Sequence, residues 1–272
     1  MNVLVTGGAR GIGRGLVRLL LQDGHSVYAL DSNEAELRHT TERAEKEWSP
    51  SSNGSRFYSK TVDLSDRKAI HSSIQEISKA FDNRLDLLVN NAFATPHTWN
   101  DGKSMDDLDA DIEEQWDLKL AVGLTAPFIL SRLCASMLKG SDGRKPGSII
   151  NISSTRAHQA EDIHEAYSAC KGGLLGLTQS MSVSLGHKHN IRVNSISPGW
   201  INVENENKEA DMTNVKWEDG LTEDDHRWHP AGRVGKVEDI YKAVLFLAQS
   251  EFVTGQEVVV DGGVTRKMVY PE

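Results

Sequence analysis

The sequence predicts a doubly wound α/β fold, a parallel seven-stranded sheet with helices on both faces. Three observations predict it. Short runs rich in β-branched residues and leucine alternate with amphipathic stretches from end to end, which is the rhythm of repeated βαβ units. Most of these runs are apolar throughout, as strands buried on both faces are. A glycine-rich turn also joins the first run to the first amphipathic stretch, at the place where such sheets hold ligands.

Residues 3–5, 26–30, 57–62 and 85–89 read as the first four strands, and 148–152, 191–196 and 257–260 as the last three. Between them, Leu16, Leu19 and Leu20, and then Ile70, Ile74 and Ile77, recur at helical spacing and place their apolar groups on one face. Residues 49–55 read as a surface loop by their Pro, Gly and Ser content, too short to link domains. The whole chain, 1–272, is therefore expected to form one unit around one sheet. An acidic, aperiodic insertion at about 200–232 interrupts the alternation just after a strand and is expected to face the substrate.

A net charge of −9 argues against a broad phosphate-binding surface, so nucleic acid is not expected as a partner. The first strand follows Met1 directly, and no stretch is read as approaching the roughly 18 apolar residues of a membrane span, so a cytoplasmic protein is expected. Cys134 and Cys170 lack redox or zinc spacing and read as small buried hydrophobes. Asp224, Asp225, His226 and His229 cluster without diagnostic ligand spacing, so no metal is expected.

The turn itself runs Thr6-Gly7-Gly8-Ala9-Arg10-Gly11-Ile12-Gly13. Glycine is required where a Cβ would block a pyrophosphate, and the helix that follows offers free N–H groups and the positive end of its dipole. Eighteen residues beyond Gly13, Asp31 ends the second strand, placed to accept hydrogen bonds from ribose hydroxyls. Together they point to a dinucleotide.

The glycine spacing, three residues and then one, resembles that of the short-chain dehydrogenases/reductases, and the likeness extends along nearly the whole chain. Asp63 with Leu64 after the third strand is similar to the family's adenine-side segment; Asn90-Asn91-Ala92 resembles its support after the fourth strand; Pro198-Gly199, with Ile201 beyond, resembles the turn lining the nicotinamide. Ser154, then Tyr167 thirteen residues later and Lys171 four after that, resemble the catalytic group. The resemblance implies a Rossmann-like sheet and hydride transfer between a nicotinamide cofactor and a carbonyl or secondary alcohol. It also implies a homodimer or homotetramer, with residues 264–272 near a subunit contact. In the roles it implies, Gly7, Arg10, Gly11, Ile12, Gly13, Asp31, Asp63, Leu64, Asn90, Ala92, Pro198, Gly199 and Ile201 hold the cofactor with Tyr167 and Lys171.

Independently of the family, a four-residue separation puts Tyr167 and Lys171 on one helix face, where an ammonium favours the ionised phenol and draws its pKa toward the operating range. Ser154 would then offer its hydroxyl to the substrate oxygen. Cofactor signals are mixed: Asp31 favours NAD by repelling a 2′-phosphate, whereas Arg10 stands where the family often welcomes one, leaving NADP as the alternative. Three positions depart from the family pattern. Gly123 stands where an asparagine usually anchors a water leading to the catalytic lysine, Phe93 where glycine is usual, and Val203 where a threonine often meets the carboxamide. They leave a second reading, a dinucleotide-binding sensor or scaffold without redox activity. Arg156 and His158 are candidates for contact with a polar or anionic substrate, and Trp200 for a pocket wall.

Overall fold

A computed structural model of the chain describes residues 1–49, 54, 56–108, 111–140 and 143–268. Its strands are β1 (Asn2–Thr6), β2 (Ser26–Asp31), β3 (Phe57–Thr61), β4 (Leu87–Asn90), β5 (Ser148–Ile152), β6 (Arg192–Pro198) and β7 (Glu257–Val260). All are parallel, in the order β3-β2-β1-β4-β5-β6-β7. Among the described residues the α-helices are α1 (Gly11–Gln22), α2 (Glu34–Arg43), α3 (Arg67–Ala80), α4 (Ile112–Leu120), α5 (Ala126–Leu138), α6 (Glu165–His189), α7 (Lys208–Thr213), α8 (Glu223–Trp228) and α9 (Val237–Gln249). The fold class read from the sequence is the one observed. The strand order reverses between β1 and β4, so the crevice that binds ligands in such sheets opens at their carboxyl ends, beside Thr6 and Asn90.

Alternation along β1 builds the two halves of the core. Val3 and Val5 face one side with Leu16 and Leu20 of α1 and Ile240 and Val244 of α9; Leu4 faces the other with Ile70 and Ile77 of α3 and Leu130 of α5. All of these are fully buried, each aliphatic side chain contributing about 1.5–3 kcal/mol. Strand ends differ from the sequence reading where local bonds intervene. β4 starts at Leu87 because the Leu85 amide donates to Met137, and β6 continues to Pro198 in register with Val260. Of the expected loop at 49–55, only Ser49 and Gly54 lie within the described residues.

Among the described residues, one segment meets the length and composition of a membrane span, a test that a packed core helix meets as well. It is Ile112–Leu138, in which α4 runs through a π-helical turn (Ala121–Thr125) into α5. Five charged residues, Glu113, Glu114, Asp117, Lys119 and Arg132, break the run in sequence. In the fold it packs against α3, α6 and the sheet. Cys134 and Cys170 are buried free thiols.

The stretch at 200–232 carries α7 and α8 and is fastened from beneath. Arg14 of α1, 2% exposed, pairs with Glu206 at 3.0 Å and with Asp211 of α7. Arg18 reaches Glu206 at 2.5 Å, and His39 of α2 reaches Asp211 at 2.8 Å. The Arg14 guanidinium also lies over the Trp48 ring. Four cationic or ionisable side chains, Arg43 included, thus gather around two carboxylates.

Candidate active site

The glycine turn closes on itself. A Cβ at Gly13 would lie 1.9 Å from the Gly7 carbonyl oxygen, and one at Gly7, where φ is +66°, would lie 2.9 Å from Ala92 Cα. Asn91 braces it: its side-chain amide donates to the carbonyls of Thr6 and Gly7, while the Asn91 and Ala92 amides donate to the Thr6 hydroxyl. Asn90 points elsewhere, donating to Asn151 and Ser131 in the interior. Within the segment, then, Asn91 rather than Asn90 has its side chain at the turn.

Beyond the turn, α1 begins with no acidic residue in its first turn and no side-chain cap. The N–H groups of Ile12 and Gly13 therefore lie where a helix has no carbonyl of its own to offer them. Gly11 is different, since its N–H donates to the Glu206 carbonyl at 2.8 Å and so holds the 200–232 segment to the turn. Asp31 accepts from the Ala9 amide at 3.0 Å and the Asn33 amide at 2.9 Å, which fixes its carboxylate beside the turn. Arg10 reaches away to the Thr95 hydroxyl at 2.6 Å. A glycine cradle, open helix amides and an anchored carboxylate together fit a dinucleotide. Asp63 accepts from the Ser65 amide and hydroxyl at the surface, and the Leu64 side chain is buried in the core. Gly199 permits close approach to Asp261, and Ile201 packs into the core opposite Gly235.

Ser154 follows β5, Tyr167 and Lys171 stand one turn apart on α6, and all three are drawn together at the carboxyl end of the sheet. Ser153, unremarked in sequence, ties these parts by donating its hydroxyl to the Lys171 carbonyl at 2.8 Å. Lys171 is buried, and its ammonium donates to the Ile152 carbonyl at 2.8 Å; burial lowers its pKa to about 8. Burial pushes the Tyr167 phenol above its ordinary value, opposed by its hydrogen bond to Ser154 and by the Arg156 charge. The lowering expected from the ammonium together with a positive nicotinamide ring is opposed by this desolvation. Desolvation dominates, and at neutral pH Tyr167 is a protonated donor.

Aromatic groups surround that phenol. The His97 ring stacks on Tyr167 at 4.5 Å, Phe93 meets it edge-on at 4.8 Å, and His164 stands at 6.2 Å. Desolvation against the Tyr167 and Phe93 rings, with the nearby Lys171 charge, holds the His97 pKa below the usual histidine range, although the side chain stays partly open to solvent. The other candidates have local partners. Arg156 pairs with Glu161, His158 with Glu257, and Asp224 with Arg227. Asp225 closes a capping box with Thr222, the His226 ring accepts from the Val234 amide, and His229 bonds the Asp225 carbonyl. Trp200 is about half exposed and tilts over His229. A cavity of about 400 Å³ lies beside the start of α6, lined by Trp99, Trp116 and Glu165 among others, with Tyr167 outside its lining.

A parallel sheet with a dinucleotide cradle at its switch point and a Ser, Tyr, Lys group beside it defines a redox enzyme. The chain belongs to the short-chain dehydrogenase/reductase family. Residues 7–265 match the family model described as enoyl-(acyl carrier protein) reductase. It is 38% identical to an uncharacterized oxidoreductase of Thermotoga maritima, over 99% of this chain and 97% of that one. Among solved structures, an apo SCOR enzyme from Clostridium thermocellum superposes with a TM-score of 0.76 at 34% identity, covering 98% of this chain and 94% of that one. A short-chain dehydrogenase from Burkholderia cenocepacia in complex with NADP gives a TM-score of 0.76 at 26% identity, covering 97% of each chain. The protein is an oxidoreductase, and the reading as a sensor or scaffold is not favoured.

Proposed function

We propose that the protein interconverts a carbonyl and a secondary alcohol with a nicotinamide cofactor, preferring NAD to NADP. The observation that carries this reading is the partly buried Tyr167 phenol, hydrogen-bonded to Ser154 and one helical turn from the buried Lys171. Ser154, 8% exposed, offers its hydroxyl to the substrate oxygen, where reduction builds negative charge. Tyr167 delivers its proton to that oxygen; in the reverse direction it accepts the proton of the alcohol. Lys171 supplies positive charge one helical turn away, which favours the phenolate left behind. When bound, the cofactor supplies or accepts the hydride. Ile12 and Gly13 amides would meet its pyrophosphate, Asp31 its adenosine ribose, and the Pro198-Gly199 turn with Ile201 its nicotinamide end.

The preference for NAD rests on Asp31. A carboxylate pinned by two amides repels a 2′-phosphate and accepts ribose hydroxyls, while Arg10 is directed to Thr95. Charge-assisted hydrogen bonds of about 1–3 kcal/mol correspond to roughly five- to a hundredfold in affinity. NADH is therefore expected to bind more tightly than NADPH, Asp31→Ser to narrow or reverse the order, and Arg10→Ala to weaken NADPH more than NADH. Fluorescence titration of both cofactors decides this, and a wild-type preference for NADPH that Asp31→Ser leaves untouched would overturn it. Assays of ketones, sugars and hydroxysteroids with each cofactor test the reaction class; no turnover of any of them would count against it.

We further propose a symmetric homo-oligomer, dimer or tetramer. The half-exposed edge strand β7 and the apolar side chains left on the surface of α5, α6 and α9, such as Phe128, Val183 and Phe246, support it. Light scattering at micromolar concentration is expected to give a multiple of the 30.0 kDa chain mass, and a monomer would refute the proposal.

A further inference from the structure

Two of the residues that break the family pattern, Phe93 and Gly123, face one another. A Cβ built on Gly123 would lie 2.6 Å from Phe93 Cε2 and 2.8 Å from Phe93 Cδ2, so the ring fills the space that a side chain at 123 would need. From that seat the ring turns its edge to Tyr167 at 4.8 Å and lies 5.3 Å from the Lys171 ammonium. The ammonium has three donors, and the Ile152 carbonyl takes one. On the far side, His97 packs against both Phe93 (5.6 Å) and Tyr167 (4.5 Å).

We propose that Phe93 is a positioning residue: seated in the space left by Gly123, its ring keeps water from the Lys171 ammonium and holds the Tyr167 ring against His97. This rests on Tyr167 and Lys171 being the proton-transferring pair. The proposal assigns the loop after β4 a part in setting the protonation of the catalytic helix, through packing alone. Around Lys171 the ionisable groups are Tyr167 and Cys170 on α6, His97 in the loop after β4, and Lys119 on α4; Arg156 and His164 stand beyond Tyr167. None of these is a carboxylate that would hold the ammonium charged. Exclusion of water is what keeps its pKa near 8, and admitting water would raise it toward the ordinary lysine range.

Two measurements test this. In kcat/KM against pH, the wild type is expected to show an inflection near 8. Phe93→Gly should move it upward by roughly one pH unit as water reaches the ammonium, and Phe93→Leu, which keeps an apolar plug, should leave it in place. Independently of turnover, thermal unfolding should reveal the pairing of positions 93 and 123. Gly123→Ala is expected to lower the midpoint in the wild type and to lower it much less, or not at all, in Phe93→Gly, where the added methyl meets only the Cys170 sulfur, at 3.1 Å. Additive midpoints, or an inflection that Phe93→Gly leaves unmoved, would reduce Phe93 to ordinary packing and overturn the proposal. Full activity in Tyr167→Phe would instead defeat the catalytic reading and leave the coupling of the two positions standing.

Discussion

Tyr167→Phe is expected to lower turnover by about a hundredfold or more while leaving cofactor affinity and the fold in place. The substitution removes one oxygen and keeps the ring, so the stack on His97 and the edge contact with Phe93 survive. What is lost is the proton donor. Because burial raises the phenol's pKa, Tyr167 carries its proton throughout the neutral range, and no other hydroxyl of the described site except Ser154 shares its position. Ser154 cannot substitute efficiently, since an aliphatic hydroxyl is a far weaker acid than a phenol. Steady-state rates with the best substrate, together with NADH titration and a melting curve, separate the outcomes. Near-normal turnover in Tyr167→Phe would remove Tyr167 from the mechanism.

Arg14→Ala is expected to cost about 3–5 kcal/mol of folding stability, as breaking a buried ion pair does. Glu206 is 2% exposed, and without Arg14 it keeps only Arg18, while Asp211 keeps His39 and the more distant Arg43. Arg14→Lys should recover little, because a single ammonium cannot reach two carboxylates on separate segments as the guanidinium fork does. Urea unfolding of the two variants measures the effect. A loss under about 1 kcal/mol in Arg14→Ala would mean that the network is as weak as an exposed pair.

Most of the sheet was legible because its signals are local. Apolar runs such as 148–152 and 257–260 coincide with β5 and β7, and the glycine turn, Tyr167 and Lys171 announce themselves by spacing. What sequence could not supply was where side chains meet across the fold. The partnership of Phe93 with Gly123 spans two elements, and each residue alone reads only as a departure from pattern. The brace from Asn91 rather than Asn90 depends on which face of the chain leaves β4, a one-residue matter that alternation decides only once the strand's end is known. His97 gave no local signal at all; it reaches Tyr167 because the loop after β4 folds back over α6. The phenol's raised pKa was likewise hidden, since spacing reports the nearby ammonium but not the desolvation that raises the phenol.

The clasp beneath α7 also bears on how this enzyme could be re-engineered. Exchanging residues 200–232 for the corresponding stretch of another enzyme would ordinarily be treated as a graft onto a neutral stump. Here the stump carries a buried guanidinium and the Gly11 amide, and both are satisfied by atoms of the grafted piece, the Glu206 and Asp211 carboxylates and the Glu206 carbonyl. A donor loop lacking acids at those two places would leave a charge stranded under the cofactor helix. Retailoring of specificity is therefore best confined to the outer arc beyond α7, where side chains such as Glu218 and Glu223 are exposed and the anchor is untouched.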